Sequence, residues 1–288
     1  MKTKLFTFLL VFVALFMPTA AFADVAEGES IVTLGENLTE QQKQQILNEM
    51  KAPKDATIII VSNAEEHKYL DKYVPPAQIG SRAISSSMIT YTKKGSGLVV
   101  QTHNISWVTD DMYTNALITA GIKDANIYIT APFQVSGTAA LTGIMKAYET
   151  TTEAKIPEEV KQVANEEMVT TAKLGDQVGS EKAVELITKI KEEIAKNPPQ
   201  TTEDLRALIQ KLAEQLGIQL TEEQLNNLVT LFEKMKNLNI DWNQVSNQLT
   251  KAKDEVSAFL KSEEGQTFLE QLKDIFASFI DFIKSLFK

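Results

Sequence analysis

Apolar and polar residues follow two different patterns along the chain, and the change comes near residue 150. Before it, short runs rich in β-branched residues alternate with helical segments in the order β-α-β-α-β-β-α-β-α. After it, apolar residues recur every three or four positions, as on the buried face of a helix. The alternation of strands and helices in the first part is typical of a sheet with parallel strand pairs, covered by helices. We therefore predict an α+β fold: an N-terminal mixed α/β sheet domain followed by an α-helical C-terminal region.

Five strands are predicted in the first part. They cover residues 31–34, 57–61, 83–92, 98–103 and 125–130. The second strand is a continuous apolar run, which is typical of a buried strand. The third and fourth strands flank the glycine-bearing loop 93–97, whose length predicts a β-hairpin. Pro132 is expected to close the fifth strand, because proline cannot donate a ladder hydrogen bond.

Helix signals set the predicted domain limits. Thr39 with Gln42, and Thr221 with Gln224, have the spacing of capping boxes at helix starts. Asn197, followed by two prolines, interrupts the helices of the second part. The limits are a signal peptide at 1–23, a mixed α/β domain at 24–150, a helical connector at 151–200, and a helical bundle at 201–288 with a strongly apolar last helix.

Residues 1–23 have the pattern of a secretory signal peptide. Lys2 and Lys4 precede an apolar run over residues 5–17, and Ala21 and Ala23 form a small-x-small cleavage signal. The apolar run is shorter than the roughly 20 residues that a membrane-spanning helix needs. We expect cleavage after Ala23 and an extracytoplasmic location, either secreted or associated with the cell envelope.

Composition narrows the class of protein. With no cysteine, the chain has no disulfide, no thiolate nucleophile and no lipid-anchoring thiol. Its net charge is −9, and −11 once Lys2 and Lys4 are removed with the signal peptide. Nucleic-acid binding relies on clustered lysine and arginine, so we expect no nucleic-acid partner. Arg82 and Arg206 are the only arginines.

The last predicted helix has a broad apolar surface. Its central apolar residues are Ile275, Phe276, Phe279, Phe282, Ile283 and Phe287. Charges recur too often for a membrane-spanning helix. Residues 268–288 carry three acids and three lysines, so no cationic face would bind anionic lipid. Three roles stay open: packing within the chain, contact with a partner protein or second copy, and contact with a membrane surface.

Two segments are candidate ligand sites. In the first, Ser81, Arg82 and Ser85 place an arginine among hydroxyl groups, where it could hold a carboxylate or phosphate through two hydrogen bonds. Its alternative is a loop entering a strand, with Arg82 paired to an acid. In the second, Ser136, Gly137 and Thr138 lie between a strand and a helix, where backbone N–H groups can bind an anion. Its alternative is an ordinary helix cap packed close to the sheet.

Catalytic and cofactor motifs are missing from the sequence. There is no phosphate-binding loop, dinucleotide fingerprint, H-E-x-x-H or G-x-S-x-G, so we expect no cofactor and no metal. A catalytic triad can be composed from Ser81 or Ser136 with His103 and Asp110. It would require these distant residues to converge in one pocket.

Four stretches resemble those of a known family. They are IVTLG (31–35), AQIGSRAISSS (77–87), TAPF (130–133) and VSGTAALTG (135–143). They are similar to the YpuA-like family (domain of unknown function 1002) of exported bacterial proteins, and the resemblance covers nearly the whole chain after residue 23. It implies an extracytoplasmic protein and brings no activity, cofactor or catalytic residue with it.

Three functions follow as hypotheses. The first is a non-catalytic, envelope-associated binding or assembly protein, whose partner is a cell-wall component, a small anionic or peptide ligand, or another protein. The second is a hydrolase or transferase acting on envelope material. The third is a membrane-surface protein held by its C-terminal amphipathic helix.

Overall fold

A computed structural model has the α+β fold predicted from the sequence. It describes residues 27–75, 79, 81–152, 154–238 and 240–261. The predicted order β-α-β-α-β-β-α-β-α is confirmed, and helices follow it to Lys261. The predictions for the signal peptide (1–23) and for the apolar helix around residues 275–287 lie outside the described residues.

Local sequence signals explain where several elements begin. The strands are β1 (Ser30–Gly35), β2 (Thr57–Val61), β3 (Ser86–Tyr91), β4 (Leu98–Ile105) and β5 (Ala125–Val135). The helices are α1 (Glu40–Glu49), α2 (Asn63–Leu70), α3 (Asp110–Thr119), α4 (Thr138–Thr152), α5 (Glu158–Val178), α6 (Ser180–Lys196), α7 (Thr202–Gln215), α8 (Glu222–Asn237) and α9 (Trp242–Lys261). The capping boxes predicted at Thr39 and Thr221 both form, so the first backbone donors of α1 and α8 are satisfied by side chains.

The strands form one mixed sheet in the order β2-β1-β3-β5-β4. The predicted parallel pairs are confirmed: β1 pairs with β2, and β4 with β5. The predicted hairpin is wrong, because β5 lies between β3 and β4. Tyr91 at the end of β3 and Leu98 at the start of β4 both pair with Ala125. The loop between β3 and β4 therefore crosses the beginning of β5. Because β5 has a strand on each side, its residues Ile127 and Ile129 are buried.

The edge strand β2 also differs from its prediction. The apolar run 57–61 predicts a buried strand, yet Ile58 and Ile60 are 48% and 44% exposed. Both residues lie opposite inward-facing residues of β1, Val32 and Leu34, but β2 is the last strand at this side of the sheet. The prediction is wrong because an apolar run records residue type, while burial depends on what covers the strand.

β5 continues through Pro132 to Val135, so the prediction that proline closes the strand is also wrong. β3 begins opposite Thr130, and beyond this point β5 has a neighbour on one side only. Pro132 lies next to an irregularity in β4 between His103 and Ile105. There Asn104 adopts a φ of 58° and its side-chain Nδ2 donates to Ala131 O at 2.8 Å. Proline is tolerated at such positions because no ladder partner requires its missing N–H.

Helices cover the two sheet faces unequally. α3 and α4 pack on one face, and α1 on the other. Apolar side chains from later helices, including Met168 of α5 and Leu249 of α9, belong to the same core as Ile127 of the sheet. A second core joins α6, α7 and α8 around Ile190, Ile209 and Phe232. The helical region thus packs on the side of the sheet that α3 and α4 cover.

Candidate functional site at the carboxyl edge of the sheet

Four of the five strands end at the same edge of the sheet. β1, β2, β4 and β5 run in one direction, and only β3 runs the other way. The helices that follow these four strands, α1, α2, α3 and α4, therefore begin at this carboxyl edge. In open α/β sheets, ligands bind outside the carboxyl ends of the strands. Both segments singled out in the sequence lie here.

The Ser81–Arg82 segment is held against the end of β1. Asn37 N donates to Ala83 O at 3.2 Å, and Ala83 N donates to Asn37 Oδ1 at 2.8 Å. A Cβ on Gly35 would lie 2.3 Å from Ala83 O, so only glycine permits this close approach. The backbone just after Arg82 is thereby fixed in place.

Arg82 is exposed on this fixed segment. Its guanidinium makes no hydrogen bond or ion pair with any residue that the structure describes. The other arginine differs: Arg206 pairs with Glu222 and donates to Asn226 Oδ1 at 2.6 Å. No acid among the described residues pairs with Arg82, so these residues do not support the alternative of an Arg82 ion pair. Ser81 is exposed beside it, whereas Ser85 is buried.

The second segment, Ser136 to Thr138, connects β5 to α4. Tyr113 Oη donates to Gly137 O, and Val108 N donates to Ser136 O at 3.2 Å. Ser136 Oγ lies 3.4 Å from Thr138 Oγ1, and Thr138 is buried. No hydrogen bond or ion pair between described residues joins Arg82 to this segment. Both lie at the carboxyl edge of the sheet.

The serine–histidine–acid alternative is not supported by this geometry. His103 and Thr102 are consecutive in β4, so their side chains point to opposite faces of the sheet. Asp110 bonds to Thr102, while His103 Nδ1 lies 2.8 Å from Glu49 Oε1 on the α1 face. His103 and Asp110 are therefore separated by the sheet.

Glu49 is a further candidate functional residue, which was not predicted from the sequence. It accepts hydrogen bonds from Tyr128 Oη at 3.0 Å and from Thr130 Oγ1 at 2.7 Å, in addition to its contact with His103. Burial alone would raise the pKa of Glu49, but the hydrogen bonds from Thr130, His103 and Tyr128 lower it below its ordinary value. Burial and the neighbouring carboxylate raise the pKa of Tyr128 to about 12. The sequence did hold one signal for Glu49. It lies in the last turn of α1, where a carboxylate interacts unfavourably with the helix dipole.

The described residues offer neither a cluster of metal-binding side chains nor a membrane-spanning helix. These residues contain no group of three or more histidine, cysteine, aspartate or glutamate side chains arranged to hold a metal ion. None of their helices is both long and apolar enough to cross a membrane.

Comparisons with known proteins give two similarities. Residues 34–252 match the family model described as "Protein of unknown function (DUF1002)". The chain is 56% identical over 275 residues to "Uncharacterized protein YpuA" from Bacillus subtilis (strain 168), covering 95% of this chain and 95% of that protein. No solved structure matches the chain significantly.

Proposed function

The chain belongs to the DUF1002 family of proteins of unknown function, and from that premise we propose that it is an exported envelope-associated protein that binds a ligand without transforming it. The proposal of export rests on the signal-peptide pattern of residues 1–23, with cleavage after Ala23. N-terminal sequencing of the protein recovered from the culture medium or the cell wall tests it. Retention of residues 1–23 on the recovered protein would contradict cleavage.

One observation carries the binding proposal: Arg82 is exposed and unpaired among the described residues, on a segment fixed by Asn37 and Gly35. Because the backbone beside Arg82 is already fixed, binding of a carboxylate or phosphate by its guanidinium costs side-chain freedom but little backbone freedom. The ligand class is accordingly an anionic one, either a wall component, a small anion or an acidic peptide. The described residues show no converging nucleophile, base and acid, so we do not propose hydrolase or transferase activity.

The test compares Arg82→Ala with Lys94→Ala in co-sedimentation with purified bacterial cell walls. Lys94 is exposed in the loop between β3 and β4, at the opposite edge of the sheet, and its removal changes the net charge equally. We expect Arg82→Ala to weaken wall binding about tenfold, the loss of one charge-assisted hydrogen-bonding group. Equal losses in both variants would mean that net charge, and not Arg82, controls binding.

The C-terminal sequence supports a second candidate function, contact with a membrane surface. The apolar residues of that segment are Ile275, Phe276, Phe279, Phe282, Ile283 and Phe287, which lie outside the described residues. Residues 24–288 and 24–263 are compared for sedimentation with neutral and anionic phospholipid vesicles. Binding by the longer form alone supports membrane contact. Absence of vesicle binding by both forms removes this candidate and leaves wall binding to be judged from Arg82.

A further inference from the structure

A cleft of about 450 Å³ lies between α5 and α8, closed at one end by the turn after α2. We call it the α5–α8 cleft. Its floor is apolar, formed by Val169, Leu174 and Leu228. Its walls are polar and its size falls in the range of small-ligand sites. None of the residues discussed at the carboxyl edge lines it, so it is a separate site.

The cleft carries excess positive charge in an acidic protein. Lys72 and Lys173 are exposed on its walls, and neither forms an ion pair with a described carboxylate. Glu166 is already neutralised, because both of its oxygens accept from Lys234 Nζ, at 2.7 and 2.8 Å. Glu223 is the remaining acid on the walls. Two lysines against one carboxylate, in a chain of net charge −9, favour an anionic ligand.

Tyr73 contacts two lysines at the end of the cleft, one through its backbone and one through its ring. Lys173 Nζ donates to Tyr73 O, and Lys234 Nζ lies 5.6 Å from the centre of the tyrosine ring. Burial and the hydrogen-bonded neighbour Glu166 raise the pKa of Tyr73 to about 12, so its hydroxyl stays protonated. The ring face toward Lys234 is therefore engaged with an ammonium group and is not free to stack on a sugar ring.

The remaining wall groups suit a peptide. Gln224 Nε2 donates to Gln177 Oε1 at 2.6 Å, and Gln224 Oε1 accepts from Thr221 N at 2.7 Å. This arrangement leaves the amide nitrogen of Gln177 as a donor beside Lys173. Asn227 adds a further amide on the opposite wall. Amide groups over a small apolar floor match backbone carbonyls and short aliphatic side chains, while the lysines match a carboxylate.

We propose that the α5–α8 cleft binds a short acidic peptide, with Lys72 and Lys173 as the carboxylate-binding residues. Gln177 hydrogen-bonds the peptide, and the floor at Leu174 and Leu228 receives its aliphatic part. Glu223 repels the ligand, so its removal strengthens binding. The site operates whether or not Arg82 binds a second anion at the carboxyl edge.

The experiment measures binding by the full chain, using isothermal titration. The probes are an acidic tripeptide with two glutamates flanking an alanine, its glutamine counterpart, and digalacturonic acid as an acidic sugar. We expect saturable binding of the acidic tripeptide only, weakened by added salt. Lys72→Ala and Lys173→Ala should each weaken it about tenfold, and Glu223→Gln should strengthen it about twofold.

The controls separate binding from folding and from the Arg82 proposal. Lys189→Ala removes a partly exposed lysine on α6 that is not part of the cleft, and it should leave the affinity unchanged. Lys173→Arg keeps the charge and the donor, and should restore most of the affinity. Arg82→Ala should leave the tripeptide affinity unchanged. A loss of affinity in Arg82→Ala and in neither lysine variant would assign the tripeptide to the carboxyl edge and overturn the proposal for the cleft. The proposal is overturned if no probe binds, if digalacturonic acid binds at least as tightly, or if affinity is insensitive to both lysine variants.

Discussion

Lys191 and Glu167 form an ion pair in which both side chains are completely excluded from solvent, with Nζ 2.8 Å from Oε1. Lys191 Nζ also donates to Thr119 Oγ1 at 2.7 Å and to Asn115 O at 2.8 Å. The pair therefore links α6 to α5 and to α3. Burial lowers the pKa of Lys191, and the attraction of Glu167 acts in the opposite direction. Loss of one partner would leave the other charge buried and uncompensated.

Lys191→Met should lower the free energy of unfolding by about 3–5 kcal/mol, as measured by urea denaturation at pH 7. The control is Lys189→Met on the same helix. Lys189 pairs with Glu185 at 3.2 Å, but their side chains are 36% and 53% exposed. An exposed pair contributes less than about 1 kcal/mol. The double variant Lys191→Met with Glu167→Leu should be more stable than Lys191→Met alone. If it were less stable, the buried carboxylate would not be the source of the loss.

Glu66 should make stability depend on pH. It is 2% exposed, and burial raises its pKa to about 7, although Asn63 Nδ2 donates to it at 3.1 Å. The ordinary value is 4.5. Between these values the folded chain keeps a proton that the unfolded chain loses, so the free energy of unfolding falls as pH rises and levels off above 7. The shift corresponds to about 3 kcal/mol.

Glu66→Gln removes that titration and should flatten the decline between pH 5 and 7. Urea denaturation of the wild type, Glu66→Gln and the exposed control Glu214→Gln at several pH values measures it. A decline of the same slope in Glu66→Gln would assign the pH dependence to another group.

Gly137 should tolerate no side chain. Its φ is +95°, and a Cβ would lie 2.5 Å from both Ile105 Cγ2 and Tyr113 Oη. Gly179 has a similar φ of +92° with no heavy atom within 4 Å, so Gly179→Ala measures the backbone cost alone. Gly137→Ala should lower the free energy of unfolding by about 2 kcal/mol more than Gly179→Ala, because it also overpacks the core. If thermal or urea unfolding shows equal losses of unfolding free energy for the two variants, Ile105 and Tyr113 move aside at little cost.

The exposed β2 edge should promote self-association. Ile58 and Ile60 are exposed on the last strand of the sheet, and Lys146 Nζ donates to Ile60 O at 2.9 Å, which blocks only part of the edge. Ile58→Lys should change the free energy of unfolding by no more than about 0.5 kcal/mol and should reduce light scattering at high protein concentration. Ile59→Lys is the contrast, because Ile59 packs against the core. It should be destabilising by about 2 kcal/mol or more. Unchanged scattering in Ile58→Lys would exclude this edge as the cause.

Much of the local structure was predictable. Thr39 and Thr221 signalled helix starts because a capping box is completed within four residues. Arg82 was recognised as a candidate from its neighbours in the chain, and the structure then placed it on a fixed, exposed segment. Glu49 was missed because its partners Tyr128 and Thr130 are 79 and 81 residues away in sequence. The lysines of the α5–α8 cleft were missed for the same reason, because Lys72 and Lys173 are far apart in sequence and line one cleft only in the folded chain.

By itself, the sequence determined which segments become helices and strands, and in what order, because periodicity, caps and glycine act over a few residues. Only the tertiary structure decided that β5 lies between β3 and β4, that Ile58 is exposed, and that Asp110 and His103 face away from each other. A loop of hairpin length constrains the distance between two strands and not what lies between them. Strand neighbours and burial follow from the packing of distant segments, which lowers the free energy of the whole chain and leaves little trace in any short stretch of it.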